Sequence, residues 1–171
     1  MPESVITYRQ ASESDLAQIC ALGLEVNNLH HTARPDVYAG DTTDPLRDQL
    51  HWLTRIAGEQ HCTFLAERDG TAIGFITIRM EQQAGSLLQP LCYGRVGTVG
   101  VAGASRGQGV GRKLMQLAET WAVAQGALDL RLTVWAFNTD AMRLYQELGY
   151  EVRAVEMGKP CNAHEIKEQA C

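Results

Sequence analysis

Three glycines at alternate positions form the stretch of this chain whose chemistry is easiest to interpret. Gly107, Gly109 and Gly111 stand in RGQGVG, and a helical pattern, VGRKLMQLAETWA, runs on from them. Glycines leave main-chain N–H groups accessible and a helix start adds the positive end of its dipole, so this segment favours a phosphate group. Arg106 and Arg112 can add charge-assisted hydrogen bonds. A tight turn for helix packing is the structural alternative.

Two common nucleotide-binding loops do not fit these glycines. A Walker A loop requires G-x-x-x-x-G-K-[ST], but Arg112 stands where the second glycine belongs when counting from Gly107, and Gln108 does when counting from Gly103. A dinucleotide fingerprint requires G-x-G-x-x-G, whereas the spacing here is G-x-G-x-G. The sequence therefore indicates an anion site of another kind.

The elements that must position this loop are those of an α/β fold. Helices are predicted from Leu16 to about Leu29, from Leu46 to Ile56, from Val110 to Gln125 and after the cap candidate Asn138. Strands are predicted in SVITYRQA, in the hairpin HCTFLAERDGTAIGFITIRM, in RVGTVGV, in LDLRLTVW and in YEVRAVEMG, with AGSLLQPLCYG as a loop or ragged strand edge. The order β-α-α-β-β-β-α-β-α-β predicts a mixed sheet, because hairpins are antiparallel while helical crossovers join parallel strands.

Length and composition limit the class of protein. The 171 residues predict one domain over residues 1–160 and a polar tail over residues 161–171. A net charge of −5 argues against nucleic acid as a partner. The five scattered cysteines predict reduced thiols and no metal site. No segment resembles a signal peptide or a membrane span, so we expect a soluble cytoplasmic protein with no membrane partner.

Two longer segments resemble a known family. VGTVGVAGASRGQGVGRKLM resembles motif A of the GNAT superfamily of N-acetyltransferases, in which a strand ending in V-x-V leads into [Q/R]-x-x-G-x-[G/A] and a helix. LTVWAFNTDAMRLYQELGYE resembles the companion motif, and the hairpin and the opening YRQASESDLAQI are similar to the family as well. The resemblance covers about residues 4 to 160. It implies a mixed β-sheet with helices on both faces.

The resemblance also implies acetyl-CoA as co-substrate and a small amine or peptide as acceptor. The pyrophosphate is expected on the amides from Arg106 to Gly111, and the pantetheine arm along the strand near Val99 and Val101. Asn138 is expected to touch the pantetheine or the splayed strand end. A simple helix cap is its alternative role, and the two are compatible. The implied cofactor-binding residues are Val99, Val101, Arg106, Gly107, Gln108, Gly109, Val110, Gly111, Arg112 and Asn138.

Tyr145 is the candidate general acid. Amine attack on a thioester expels a thiolate, and a phenol within hydrogen-bond reach can protonate it. Packing on the stripe with Leu144 and Leu148 is the alternative role. A backbone N–H at Val101 is expected to polarise the thioester carbonyl.

The attacking amine must be neutral, so a base or a water chain should remove its proton. Some family members carry a glutamate on the strand before the glycine loop, whereas this strand has Tyr93 and Arg95. His30 and His31, expected in the loop between the first two helices, are the candidates, because histidine accepts protons near neutral pH. They could equally be loop residues with no role. Glu81 is a weaker candidate.

Asp36 and Tyr38, in the same expected loop, could meet a cationic acceptor or simply form a turn. Two rival functions remain: a CoA-binding sensor without catalysis, and transfer from another donor such as succinyl-CoA. Exposed sheet edges make a homodimer possible.

Overall fold

The structure, a computed structural model, describes residues 5–40 and 44–160 of the chain. The strands are β1 (Ile6–Gln10), β2 (His61–Arg68), β3 (Thr71–Gln83), β4 (Leu91–Val101) and β5 (Asp129–Arg131), and the helices are α1 (Leu16–Ala33), α2 (Pro45–Ile56), α3 (Val110–Ala124) and α4 (Thr139–Glu147). Within the described residues, none of these helices is long and apolar enough to cross a membrane.

The backbone divides into two compact units, Met1–Asn138 and Thr139–Cys171. The first unit contains the whole sheet, and α4 is the helix of the second. The single domain expected over residues 1–160 stays a prediction, and the expected polar tail lies outside the described residues. So do Cys161 and Cys171, whereas the cysteines within the described ranges, Cys20, Cys62 and Cys92, are free thiols.

The sheet is mixed, as predicted. Strands β1 to β4 pair antiparallel in chain order, and β5 pairs parallel with β4 over Tyr93–Arg95. The β2–β3 connection is a two-residue turn in which Asp69 and Gly70 both have positive φ, at 52° and 76°. This conformation matches the twist of the hairpin, which explains why RDGT identified it in the sequence.

Helices α1 and α2 cover one face of the sheet. Ile19, Trp52 and Phe75 are buried in one cluster, and the Trp52 and Phe75 rings meet edge to face with centroids 5.1 Å apart. Gly23 admits the Trp52 ring, because a Cβ there would clash with it. Trp52 is therefore a packing residue.

Helix α3 covers the opposite face. Gly74 precedes Phe75 in β3, so the two residues point to opposite sides of the sheet. A Cβ at Gly74 would lie 3.0 Å from Val110 Cγ1, and one at Gly94 would lie 2.9 Å from Ala122 Cβ, so glycine allows α3 to approach closely. Helices on both faces are confirmed.

The first helix is longer than predicted. Helix α1 continues through His30 and His31 to Ala33, so these histidines lie in its last turn and not in the loop where they were expected. The prediction was wrong because no helix breaker precedes Pro35. The residue before a proline disfavours the helical region, and Arg34 accordingly has φ −140° and ψ 69°.

Of the two alternatives for AGSLLQPLCYG, a loop or a strand edge, the second holds for Leu91–Gly94, which belongs to β4. Two strand predictions need correction, because β5 is only three residues long and residues 150–160 contain no strand. Alternating side chains predicted strands in LDLRLTVW and YEVRAVEMG, but a strand also requires a neighbouring backbone to pair with. The element order therefore holds up to α4 and lacks the final strand within the described residues.

Candidate active site

The glycine loop, residues 106–111, connects the end of β4 to the start of α3. Gly107 and Gly109 have φ of 73° and 79°, in the left-handed region that favours glycine. Within the described ranges, a Cβ at either position would meet nothing within 4 Å, so the backbone conformation rather than crowding requires glycine. Residues 106–109 are exposed, whereas Val110 is 1% exposed and anchors the helix in the core. The loop therefore presents main-chain groups to solvent at a fixed helix start.

Side chains of the loop hold its backbone in place. Arg106 donates from Nε to the carbonyl of Val101 at 3.1 Å, and Gln108 donates from Nε2 to the carbonyl of Ala104 at 3.1 Å. The first hydrogen bond of α3 runs from Lys113 N–H to the Gly109 carbonyl at 3.0 Å. The N–H groups of a first helical turn have no partner within their own helix. They are the donors that suit a phosphate group.

Arg68 is a neighbour of the loop that sequence reasoning missed. Its guanidinium donates to the side-chain oxygen of Gln108, and its buried Nε has no hydrogen-bond partner among the residues that the structure describes. The register of β3 against β4 pairs Gly74 with Val101, which brings the β2–β3 turn beside the end of β4. Only this long-range register could have revealed Arg68, since nothing in the adjacent sequence marks it.

Strand β4 leaves its partner β5 before it reaches the glycine loop. The pairing with β5 ends at Arg95, so in the five-stranded sheet of the described residues Val99 and Val101 pair on one side only, with Ile76 and Gly74 of β3. Unpaired strand edges accept an added extended chain.

A β-bulge accompanies this departure. Gly97 and Thr98 together lie opposite Thr77 of β3, and the Thr77 hydroxyl accepts from Thr98 N–H at 2.9 Å. A Cβ at Gly97 would lie 2.7 Å from that hydroxyl oxygen, so the bulge requires glycine here. Bulges bend strands and often lie next to active sites.

His30 and His31 each direct Nδ1 at a carbonyl oxygen. His30 lies 2.7 Å from Val26 O and His31 lies 2.7 Å from Tyr38 O. A carbonyl oxygen only accepts, so Nδ1 carries the proton and Nε2 holds the lone pair when the ring is neutral. The His31 ring also packs beside Gly40, which places it against the backbone that follows α1. Both rings have the tautomer that a base acting through Nε2 requires.

His30 belongs to an aromatic cluster that the sequence analysis did not identify as a unit. Its members are His30, Tyr38, Trp135 and Phe137. Trp135 donates from Nε1 to the Tyr38 hydroxyl at 2.6 Å, and the His30 ring lies 4.8 Å from Tyr38 and 5.6 Å from Phe137, centroid to centroid. The cluster joins the segment after α1 to the segment after β5.

Glu81 lies near the other end of β4. Tyr93 donates its hydroxyl to Glu81, and Arg79 forms an ion pair with the same carboxylate. The hydrogen bond from Tyr93, followed by the contact with Arg79, holds the pKa of Glu81 below its ordinary value. A carboxylate with a lowered pKa is a poorer base, which agrees with its weak candidacy.

Tyr145 lies in α4, in the second unit, and is half-buried. Burial raises the pKa of its phenol above the ordinary value, so the group stays protonated at neutral pH. A general acid must be protonated before it acts. Asn138, the last residue of the first unit, donates its backbone N–H to the carbonyl of Trp135 at 2.9 Å. The roles predicted for both residues stay predictions.

Two other features lie apart from these residues. A cleft of about 480 Å³ between α1 and α2, lined by residues such as Leu16, Cys20 and Asp48, contains none of the predicted site residues. Across the described part of the chain, no three His, Cys, Asp or Glu side chains are grouped so that they could hold a metal ion.

Comparisons with known proteins place the chain in a family. The mycothiol acetyltransferase of Thermobispora bispora is 39% identical over 87 residues, which are 51% of this chain and 29% of that protein. The chain thus spans less than a third of the length of the curated relatives it matches, 27–29% in the first two. The activity in their names is therefore a property of those proteins and is not assigned to this chain by the match.

Solved structures share the fold. A mutant of the BH1408 protein from Bacillus halodurans matches with a TM-score of 0.83 at 21% identity, over 91% of this chain and 99% of that one. Aminoglycoside N-acetyltransferase AAC(6')-Iy in complex with CoA matches with a TM-score of 0.67 at 20% identity, over 94% and 99% of the two chains. The model of the acetyltransferase (GNAT) family matches residues 26–150. Because that match covers most of the sequence, the predicted family is confirmed, and the chain belongs to the acetyltransferase (GNAT) family of acyltransferases.

Proposed function

We propose that this chain transfers an acetyl group from acetyl-CoA to a primary amine of a small molecule or peptide. The observation that carries the proposal is the edge of β4 beyond Arg95, which has no strand partner among the described residues and is followed, after one short turn, by the glycine loop. An extended thiol arm that ends in a phosphate group matches this pair of features in order and in chemistry. The family assignment supports the same reaction class.

Acetyl-CoA would use both parts of this surface. Its pyrophosphate would lie on the amides of residues 106–111, beside Arg112, where the dipole of α3 favours negative charge. Its pantetheine arm would run along Val99 and Val101 as an added strand, with Asn138 at its side.

The chemistry would then proceed by direct attack. The neutral amine nitrogen bonds to the thioester carbonyl carbon, and the N–H of Val101 stabilises the oxyanion that forms. The C–S bond breaks as the carbonyl reforms, and Tyr145 gives its proton to the departing thiolate. The proton lost by the amine passes to His30 or His31. The contacts favour His30, because the His31 ring packs on the loop backbone at Tyr38 and Gly40.

The first experiment measures acetyl-CoA binding by calorimetry and thiol release with polyamines, amino acids, aminoglycosides and short peptides. Binding together with release in one class of amine supports the proposal. Binding without release from any acceptor favours the catalytically silent sensor. A second series with succinyl-CoA tests the other donor, which release from succinyl-CoA alone would favour. Absence of binding would refute the proposal.

Tyr145→Phe tests the acid. We expect kcat to fall about 10²-fold, because the thiolate leaves without its proton donor, while the Kd for acetyl-CoA stays within about twofold. Tyr150→Phe is the matched control, because it removes a phenol hydroxyl from a ring whose centroid lies 5.9 Å from that of Tyr145. This variant should keep the wild-type kcat. Equal kcat in wild type and Tyr145→Phe would remove the acid role.

A further inference from the structure

The aromatic cluster offers ring faces near the surface. Phe137 is 36% exposed, and Trp135, Tyr38 and His30 are half-buried. The Trp135 and Phe137 rings are nearly parallel, at 20° with centroids 6.4 Å apart. The Trp135–Tyr38 hydrogen bond fixes the indole in position. The cluster is therefore an oriented group of rings and not an accidental patch.

The cluster lies close to the end of β4 at which the reaction is proposed. A Cβ at Gly100, between Val99 and Val101, would be 2.9 Å from the Val26 side chain, so α1 lies against this part of the strand. His30 is one helical turn beyond Val26 and contacts its carbonyl. One turn of helix rises about 5.4 Å, which brings the cluster within reach of an acceptor that enters at the strand end.

One ring face of the cluster already holds a cation. The guanidinium carbon of Arg34 lies 4.7 Å from the centroid of the Trp135 ring, within the range of a cation–π contact. Asp36 accepts from the same guanidinium at 2.9 Å and 2.7 Å, so its carboxylate balances the positive charge. We call the Trp135 ring face together with Asp36 the cation site. The ion pair is exposed, and exposed ion pairs are weak enough for a competing cation to displace.

We infer that the acceptor carries two amino groups, and that its second, non-reacting ammonium displaces Arg34 from the Trp135 face and pairs with Asp36. The inference rests on the proposed function. The nitrogen that attacks acetyl-CoA must be neutral, whereas a cation–π contact requires charge, so the two roles belong to two nitrogens. The substrate class is therefore a diamine or polyamine.

The test compares diaminopentane with aminopentanol, which share one chain length and one reacting amine. With saturating acetyl-CoA we expect kcat/KM to favour diaminopentane about five- to thirtyfold, beyond the twofold statistical advantage of two equivalent amines. Calorimetry with the diamine, both with and without CoA, measures the same preference as binding.

Four variants test whether the second ammonium binds at the cation site. Trp135→Leu should reduce the preference to near twofold, and Trp135→Phe should keep most of it, because the ring face remains after the bond to Tyr38 is lost. Trp121→Leu, the same substitution on α3, should leave it unchanged. Arg34→Ala should bind diaminopentane about two- to tenfold more tightly, since the competing cation is gone, and a gain of affinity is not a consequence of misfolding.

Equal use of the two amines, an unchanged preference in Trp135→Leu, or weaker diamine binding in Arg34→Ala would each overturn the inference. These outcomes differ from failure of the proposed function. Absence of acetyl-CoA binding or thiol release refutes the transferase, while the diamine titrations without CoA still test whether the aromatic cluster binds a diamine.

Discussion

The glycine loop and the aromatic cluster lie near the same end of β4, yet they are built in opposite ways. The loop is six consecutive residues, 106–111, whose shape follows from two glycines with positive φ and a helix start. The cluster joins residues 97 positions apart, because Trp135 bonds to Tyr38. The first arrangement is local chemistry, and the second exists only after the sheet has formed.

This difference explains what each region can recognise. Main-chain amides at a helix start suit any phosphate and require only glycine beside them. Ring faces from two segments can select an acceptor by its charge and shape, because their spacing depends on the whole fold. We therefore expect substitutions in the loop to affect the donor, and substitutions in the cluster to affect the acceptor.

The largest effect should come from Gly109→Glu. A carboxylate at the helix start would repel the pyrophosphate, and like charges in contact cost several kcal/mol, so we expect acetyl-CoA binding to weaken by on the order of 100-fold or more. Calorimetry measures this loss directly.

Gly126→Glu, at the other end of α3, is the matched control. Gly126 also has positive φ, 89°, and no described residue within 4 Å of a Cβ placed there, so the substitution carries the same backbone strain and the same charge. Its acetyl-CoA affinity should stay near that of wild type. Wild-type affinity in Gly109→Glu would mean that the loop is only a turn.

Sequence reasoning was most successful where the chemistry was local. The start of α3 after RGQGVG and the turn in RDGT both depend on neighbouring residues. The strand expected after Tyr150, which is absent from the described residues, depends on a backbone partner, and side-chain patterns do not report such partners. The positions of Arg68 and the aromatic cluster depend on strand register and on contacts between distant segments, so no sequence motif could have predicted them.

Arg68 tests whether long-range contacts also serve the donor side. Its guanidinium donates to Gln108, and its buried Nε has no partner in the described part of the chain, so a phosphate on the loop would gain a nearby cation. We expect Arg68→Leu to weaken acetyl-CoA binding about tenfold, and Arg68→Lys to recover part of it.

Two further measurements separate this role from an indirect one. Acetyl-pantetheine lacks the phosphates, so its binding should be the same in wild type and Arg68→Leu. Gln108→Ala removes the bond to Arg68 but leaves the cation, and it should weaken binding less. An equal loss with acetyl-pantetheine would show that Arg68 only supports the fold of the loop.

The smallest effect concerns stability and should leave both ligand regions unchanged. Asp15 is 4% exposed and accepts from Arg9 at 2.8 Å and 2.7 Å, while Arg9 also pairs with Glu67. The hydrogen bonds from Arg9, together with the N–H of Ser12, hold the pKa of Asp15 well below its ordinary value. Asp15→Asn should therefore cost about 1–2 kcal/mol of unfolding free energy at neutral pH, since Arg9 is partly exposed and the pair is screened.

The pH dependence gives this prediction its sign. A carboxyl whose pKa is lower in the folded chain adds stability above its ordinary pKa of about 3.9 and loses it as the pH falls toward the folded value. The difference in unfolding free energy between wild type and Asp15→Asn, measured with urea, should thus be largest at pH 7 and should decrease below about pH 4. Asp48→Asn, which removes a carboxylate from the half-exposed pair with Arg47, should show little change at either pH. A gap that stays constant with pH would mean that the asparagine disturbs packing and not charge. The stabilisation would then not come from the ion pair that joins β1 to the start of α1.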